Sequence, residues 1–169
     1  MWLTGIPGAG KSAVAVALRA RGFESHDADD DGFRKWRHIE TGDVVDRPPV
    51  PNAEWQPEHQ LVLIPDRVAE LKVKAVDRVV VLAGHVPNED ECLHLFDVIV
   101  AIAVDDETLR ARLRDRPGRS FGKTPEVRDA ILSWNREAAV HYERIGARVV
   151  DGTLPLDDVV DAVVRAVGS

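Results

Sequence analysis

The sequence contains a single cysteine, Cys92, among its 169 residues, so the chain cannot form an intramolecular disulfide. An oxidising compartment therefore gains no support, and Cys92 is expected to be a small buried apolar residue. No apolar run approaches the length of a membrane span, and the N-terminus has no charged segment followed by an apolar one. We therefore expect a cytoplasmic protein with no membrane partner.

The sequence also has fewer basic than acidic residues. The 22 lysines and arginines are outnumbered by 29 aspartates and glutamates, which leaves a formal net charge of -7. A general nucleic-acid binder normally has a basic surface, so we expect no nucleic-acid partner. With 44% hydrophobic and 30% charged residues, the composition is that of an ordinary globular protein. The length predicts a single domain over residues 1–169, as either a monomer or a homodimer.

The most informative segment is glycine-rich and lies near the N-terminus, where residues 5–12 read GIPGAGKS. This is a complete G-x-x-x-x-G-K-S phosphate-binding loop (P-loop), and its flanks suit the strand and the helix that the motif requires. The loop's N–H groups and the helix N-terminus both favour a phosphate. Nucleotide contacts are therefore predicted for Gly5, Gly8, Ala9, Gly10, Lys11 and Ser12. We expect Lys11 to reach the β- and γ-phosphates and the Ser12 hydroxyl to bind Mg²⁺.

Short apolar segments alternate with helical patterns along the rest of the chain, which predicts βαβ units and a parallel sheet. Five strands are expected, at residues 1–4, 23–26, 79–83, 98–104 and 148–150. A helix is expected over 61–75, and an irregular substrate-side insertion with one short helix over 33–57. The predicted fold class is α/β: a three-layer α/β/α P-loop domain with a five-stranded parallel sheet and a small lid. In such folds ligands bind beyond the carboxyl ends of the strands.

Acidic residues follow the second predicted strand, in the order Asp27-Ala28-Asp29-Asp30-Asp31. Phosphoryl transfer needs carboxylates near Mg²⁺ and near the attacking hydroxyl. Positions i and i+2 share a face of a strand, so Asp27 and Asp29 are predicted to face one cleft. The alternative is an acidic N-cap cluster for a following helix, a role that suits Asp30 or Asp31 better.

The segment after the central strand begins with Gly84-His85 and lacks the acid that some P-loop enzymes have there. That absence weakens a hydrolase interpretation, in which such an acid helps to hold Mg²⁺ and to position water. Gly84 is expected to let the backbone approach a substrate closely. His85 suits either a substrate contact or a structural role.

Arginines cluster around a break in the helical pattern near residue 116. Arg112 and Arg116 are four residues apart, so they lie on one helix face and can address one ligand. Residues 116–125 are predicted to form a lid over ATP, with a solvated basic helix face as the alternative. The helix that follows has one stripe that is expected to face the core: Val127, Ile131, Trp134, Ala138, His141 and Ile145.

With these segments in order, the chain resembles the small-molecule kinases of the P-loop superfamily, which include shikimate, gluconate and nucleoside monophosphate kinases. The loop over residues 5–12 matches theirs fully. The pair Asp27 and Asp29 is similar to the pair in shikimate kinases, which implies that Asp27 lies near Mg²⁺ and Asp29 near the acceptor. Gly84 lies where those kinases have a glycine-rich turn, although only one glycine is present here.

The adenine side also resembles nucleotide kinases. Residues 112–116 are similar to the helix that leads into their lid, which implies that Arg112 packs on adenine and Arg116 contacts phosphates. Residues 151–155 resemble their adenine loop, which implies an adenine contact at Pro155 and favours ATP. In overall pattern the chain is closer to a set of bacterial ATP-binding proteins of the AAA type.

These features predict a Mg²⁺·ATP-dependent kinase that acts on a hydroxyl or phosphate of a small-molecule acceptor, such as a nucleoside or nucleotide. Lys11 and Arg116 are expected to neutralise the transferred phosphoryl group, and Asp29 to orient or deprotonate the acceptor. Arg34 and Trp36 are candidates for the acceptor pocket, since a flat acceptor suits an indole. The alternative for Trp36 is a packing role inside the insertion's own small core.

Two other functions remain open from the sequence. An ATP-binding regulatory module would bind ATP without any acceptor, although the arginine cluster argues for catalysis. A nucleotide hydrolase of the GTPase kind is less favoured, because no Asn-Lys-x-Asp guanine-binding motif is present.

Overall fold

The computed structural model describes residues 1–48, 55–115 and 124–168. The strands are β1 (Trp2–Thr4), β2 (Glu24–Asp27), β3 (Arg34–His38), β4 (Val44–Val45), β5 (His59–Leu63), β6 (Val80–Ala83), β7 (Ile99–Ala103) and β8 (Arg148–Asp151). The α-helices are α1 (Lys11–Ala20), α2 (Trp55–Glu58), α3 (Pro65–Lys74), α4 (Asp106–Asp115), α5 (Pro125–Arg144) and α6 (Leu156–Gly168). None of the described helices is long and apolar enough to cross a membrane.

The predicted five-stranded parallel sheet is confirmed. Its strands follow the order β2-β6-β1-β7-β8, and every neighbouring pair is parallel. The first strand lies in the middle, with β6 on one side and β7 on the other. The P-loop that follows β1 therefore starts at the centre of the sheet's carboxyl edge, where ligands of such folds bind.

The two faces of the sheet pack into two separate cores, because successive strand residues point to opposite faces. Leu3 of β1 belongs to the larger core, together with apolar residues of α1, α4, α5 and α6. Trp2 belongs to the smaller core, together with Val68 and Leu71 of α3. Cys92 is fully buried in that smaller core, in agreement with its predicted role. The helices on both faces give the three layers expected from the sequence.

The segment 33–57 and the start of the predicted helix over 61–75 differ from the sequence-based expectation. One short helix is present, α2, but where the sequence predicts irregular structure a small antiparallel sheet forms, in the order β4-β3-β5. Its third strand covers residues 59–63, so the helix begins only at Pro65. Periodicity misled here because Leu61 and Ile64 match a helical stripe, whereas Pro65 marks a helix N-terminus.

Candidate active site

The main cavity among the described residues has a volume of about 1010 Å³ and opens at the carboxyl edge of the sheet. The P-loop forms its floor, and its walls come from the ends of β2, β6 and α4, the start of β3, and α5. The predicted site residues that line it are Gly8, Gly10, Lys11, Ser12, Asp27, Asp29, Arg34, Gly84 and Arg112. Gly5, Ala9, Trp36 and Pro155 do not contribute to its lining. Arg116, the other predicted site residue, and most of the predicted lid lie outside the described residues.

The conformation of the P-loop depends on its glycines. Gly8 and Gly10 have φ angles of 95° and 108°, a region that residues with a Cβ rarely adopt. A Cβ on Gly5 would lie only 2.8 Å from the backbone oxygen of Ile102 on the neighbouring strand β7. The Lys11 ammonium donates hydrogen bonds to the carbonyl oxygens of Gly5 and Ile6, at 2.6 and 3.0 Å. This holds a cation over the loop, beside backbone N–H groups that favour an anion.

Arg112 ties the P-loop to the turn after β8. Its Nη1 donates to the carbonyl oxygen of Ala9 at 2.9 Å, and its Nη2 donates to that of Gly152 at 2.7 Å. This turn is itself held against β7, because the backbone N–H of Gly152 donates to the carbonyl oxygen of Ala103 at 2.7 Å. Arg112 therefore bridges the phosphate loop and the segment predicted to hold adenine. Its role in packing on adenine remains a prediction, as does that of Pro155.

The acids after β2 form a turn and not a helix cap. The Asp27 carboxylate accepts a hydrogen bond from the backbone N–H of Asp29 at 3.0 Å, which fixes the spacing of the pair. Asp31 accepts from the backbone N–H of Asp27 at 2.8 Å and pairs with Arg19. No helix follows, since the next element is β3. The acidic N-cap considered for Asp30 and Asp31 is therefore wrong, and both Asp27 and Asp29 reach the cavity.

Arg34, the first residue of β3, forms an ion pair with the carboxylate of Asp29. Its Nη2 also donates to the carbonyl oxygen of Leu61 at 3.3 Å. Only 14% of the Arg34 side chain is exposed, and burial lowers its pKa to about 10, although the charge of Asp27 opposes that shift. Arg34 therefore reaches the cavity wall from the small antiparallel sheet.

The turn after β6 brings Gly84 and His85 to the cavity. A Cβ on Gly84 would lie 2.8 Å from the buried Trp2 ring and 3.0 Å from the Cβ of Ala28, so packing alone requires glycine here. The His85 ring is reached by solvent through the cavity, but protein surrounds it on most sides. That burial, followed by the nearby charges of Lys11, His141 and Arg34, lowers its pKa to about 4. His85 is therefore a neutral imidazole at neutral pH.

The inner face of α5 forms a cavity wall that sequence reasoning missed. The stripe predicted to face the core does bury Ile131 and Ala138. Trp134, however, is 45% exposed and lines the cavity, as does His141 two turns further along the helix. Glu137, between them, also faces the cavity. A periodic stripe identifies the side of a helix that faces inward, but it does not distinguish a core from a cavity.

His141 connects α5 to the segment after β6. Its Nε2 lies 2.5 Å from Oε1 of Glu89, and its Nδ1 lies 3.2 Å from Nη2 of Arg144. The Glu89 side chain is only 7% exposed and accepts a long hydrogen bond, 3.4 Å, from the indole N–H of Trp2. These contacts position α5 against the cavity and occupy both nitrogens of His141.

The Trp36 side chain packs inside the small sheet's own aromatic cluster. Its ring lies 4.8 Å from that of Trp55, which in turn stacks on His59 at 4.3 Å. This placement favours the packing role that the sequence left open. An acceptor contact at Trp36 remains a prediction, and the indole that faces the cavity is that of Trp134.

The comparisons with known proteins agree with this architecture. A family model described as an AAA domain matches residues 2–133 of the chain. No curated protein matches the sequence.

Three solved structures illustrate the structural similarity. Shikimate kinase from Acinetobacter baumannii in complex with shikimate has a TM-score of 0.61 and 17% identity, over 98% of this chain and 90% of that chain. Deoxyadenosine kinase from M. mycoides with bound dATP has a TM-score of 0.53 and 14% identity, over 99% and 98%. An unliganded sugar kinase from Janibacter sp. HTCC2649 has a TM-score of 0.54 and 14% identity, over 99% and 92%. At these identities the similarity concerns the fold, which is that of P-loop small-molecule kinases.

Proposed function

The chain belongs to the AAA domain family, and we propose that it is a Mg²⁺·ATP-dependent phosphotransferase that moves the γ-phosphate to a hydroxyl or phosphate of a small metabolite. One observation carries this proposal. A single cavity holds the P-loop residues Lys11 and Ser12 together with the paired acids Asp27 and Asp29. A donor site and a candidate acceptor site therefore share one cavity, as direct phosphoryl transfer requires.

On the donor side, Lys11 would neutralise the β- and γ-phosphates as the bond from the γ-phosphorus to ADP breaks. The loop glycines would present their N–H groups to the same phosphates. Arg112 would hold the P-loop against the turn at Gly152 while its guanidinium faces the base. Arg116 is proposed, from its place in the sequence, to meet the transferred phosphoryl group.

The side chains on the cavity wall fit a magnesium site of the kind that phosphotransferases use. Mg²⁺ prefers oxygen ligands and is usually bound through one or two carboxylates together with substrate phosphates. The Ser12 hydroxyl and the Asp27 carboxylate are oxygen donors of that kind on the cavity wall. The described residues contain no group of three or more His, Cys, Asp or Glu side chains that could hold a metal alone. When bound, Mg²⁺ would neutralise charge that develops on the phosphates.

On the acceptor side, Asp29 would orient the acceptor hydroxyl and take its proton as the new phosphorus–oxygen bond forms. Its ion pair with Arg34 holds the carboxylate in place at the cavity wall. Gly84 would let the backbone after β6 approach the acceptor closely. Arg34 is proposed to line the acceptor pocket next to Asp29.

The test measures ADP release from Mg²⁺·ATP across nucleosides, nucleoside monophosphates, sugars, hydroxylated acids and aminoglycosides. We expect one acceptor class to stimulate release, and Lys11→Ala to reduce that stimulated rate by about 100-fold or more. Lys74→Ala, on the exposed end of α3, is the matched control and should behave as the native protein. Undiminished turnover by a correctly folded Lys11→Ala protein contradicts this mechanism.

A regulatory ATP-binding module predicts a different result. It would bind ATP tightly, as measured by calorimetry, and show no response to any acceptor. The second Asp of the pair argues against this alternative, because phosphate binding alone does not require a carboxylate at the acceptor side.

A further inference from the structure

Trp134 presents an open aromatic surface to the cavity. Its side chain is 45% exposed, whereas Trp2, the other indole near the cavity, is fully buried beneath Gly84. The helix that bears it is held in place, because Asn135 donates to the carbonyl oxygen of Val104 at 3.1 Å and to Asp106 at 2.9 Å. A partly exposed indole on a helix held in this way is a platform on which a planar ring can stack.

The same helix face has a negative charge beside that platform. Glu137 is one turn from Trp134 and lines the cavity. Within residues 1–48, 55–115 and 124–168, the carboxylate of Glu137 has no hydrogen bond or ion pair. A carboxylate accepts hydrogen bonds and donates none, so it favours a ligand with N–H groups and repels an anionic one.

The described cations of the cavity are already engaged. Lys11 donates to two carbonyl oxygens of the P-loop, and Arg112 donates to the carbonyls of Ala9 and Gly152. Arg34 is paired with Asp29. An acceptor with a carboxylate or phosphate would therefore meet Glu137 on one side and a neutralised guanidinium on the other. The electrostatics favour an uncharged acceptor.

His85 provides a hydrogen-bonding group on the cavity wall that can bind a hydroxyl of the acceptor. No hydrogen bond or ion pair of its ring is found among the described residues, and the ring faces the cavity beside Lys11 and Arg34. A neutral imidazole can accept a hydrogen bond from a hydroxyl and orient it. His141, which interacts electrostatically with His85, lies seven residues beyond Trp134 on α5. At 1.5 Å per residue that is about 10 Å, a span comparable with the length of a nucleoside.

We propose that the acceptor is an uncharged nucleoside whose base stacks on Trp134, donates N–H groups to Glu137 and places a sugar hydroxyl at His85. This inference rests on the proposed phosphotransfer, since it names the acceptor of that reaction. The adenine of ATP is proposed to lie at Arg112 and the turn 151–155, and that turn does not line the cavity. The volume of about 1010 Å³ suffices for phosphates and a nucleoside together.

The test is calorimetric titration of the full chain, with Mg²⁺·ADP present, by adenosine, cytidine, ribose and shikimate. We expect a nucleoside to bind, and ribose and shikimate to bind much more weakly. Trp134→Ala should weaken nucleoside binding by about 10- to 100-fold, whereas Trp134→Phe should retain most of it. Glu137→Gln should weaken it several-fold, and Glu143→Gln, on an exposed part of α5, is the matched control.

The outcomes separate this inference from the proposed function. Nucleoside binding that depends on Trp134 but gives no ADP release supports the subsite and contradicts phosphotransfer. Phosphotransfer to a carboxylate-bearing or ribose-like acceptor, with native rates in Trp134→Ala, supports phosphotransfer and overturns the nucleoside subsite. The subsite is also overturned if no nucleoside binds, or if binding is equal in the native, Trp134→Ala and Glu137→Gln proteins.

Discussion

The cavity has two sides that are built in different ways. The phosphate side is a single run of eight residues, 5–12, whose backbone conformation is set by its own glycines. The acceptor side combines the turn after β2, the first residue of β3, the turn after β6 and one face of α5. Its side chains are separated by up to about a hundred positions in the chain, and only packing brings them together.

This difference determines how each side responds to change. The phosphate side is stabilised by local backbone geometry, so substitutions there act on the loop itself. The acceptor side is stabilised by contacts between distant elements, such as the ion pair of Asp29 with Arg34 and the contact of Glu89 with His141. A change on that side is expected to act on packing and ion pairing as well as on ligand binding.

Gly8→Ala is expected to have the largest effect on stability, because it alters the phosphate side directly. Gly8 has a φ of 95°, and an added Cβ would lie 2.8 Å from Cδ1 of the buried Leu109. Backbone strain and crowding together should lower the free energy of unfolding by about 2–4 kcal/mol and weaken nucleotide binding at least about tenfold. Urea unfolding and ATP titration measure the two effects. Gly168→Ala, where a Cβ meets nothing within 4 Å, is the control, and equal stability of the two variants would contradict this account.

Gly84→Ala tests the acceptor side in the same way. Its added Cβ would lie 2.8 Å from the rigid ring of Trp2 and 3.0 Å from Ala28, so we expect a loss of about 1–3 kcal/mol of unfolding free energy. Trp2→Phe removes the part of the indole that Gly84→Ala would contact. The double variant should therefore be more stable than the sum of the single effects predicts, as measured by urea unfolding. If the unfolding free energies of the two single variants simply add in the double variant, the Cβ at position 84 does not crowd the Trp2 ring.

A double-mutant cycle with Asp29→Asn and Arg34→Gln tests the ion pair between the turn after β2 and the small sheet. Arg34 is largely buried and Asp29 is 37% exposed, so the coupling should be about 1 kcal/mol, at the upper end for exposed pairs. The measurement is the free energy of unfolding of all four proteins. If the two single effects simply add, this ion pair does not stabilise the acceptor side.

The smallest expected effect is the pH dependence contributed by His85. Its pKa in the folded chain is lowered to about 4 from an ordinary 6.5, so the unfolded chain binds a proton first as the pH falls. Stability attributable to this group is therefore lost between about pH 6.5 and pH 4. Since solvent reaches the ring through the cavity, the loss should be smaller than the full shift implies. Thermal melts at pH 7 and pH 5 should show a smaller decrease for His85→Gln than for the native protein, and identical decreases would argue against the lowered pKa.

Much of the fold could be predicted from residue patterns, and particular failures have physical causes. The five parallel strands were predicted because their apolar runs are short and alternate with helical segments. The periodicity predicts a helix from residue 61 because Leu61 and Ile64 match a helical stripe. Residues 59–63 nevertheless form a strand, in which Leu61 pairs with Trp36 of β3, more than twenty residues away. Tertiary pairing overrides local periodicity in such segments.

The site shows the same division. Asp27 and Asp29 were predicted to share a cleft, and both face the cavity. The sequence predicts that Trp134 and His141 face the core. A periodic stripe shows which side of a helix faces inward, but not whether that side meets packed side chains or a cavity. The aromatic and imidazole side chains in an otherwise aliphatic stripe were the only signal of a cavity wall.

By itself, the sequence determined the P-loop, its Lys11 and Ser12, and the order of strands and helices that places this loop at the sheet edge. These depend on local backbone preferences and on hydrophobic periodicity, which act over a few residues. Only the tertiary structure decided that Arg34 reaches Asp29, that Gly84 accommodates Trp2, and that α5 turns Trp134 toward the cavity. Those outcomes depend on long-range packing between elements, for which no short stretch of sequence contains the information.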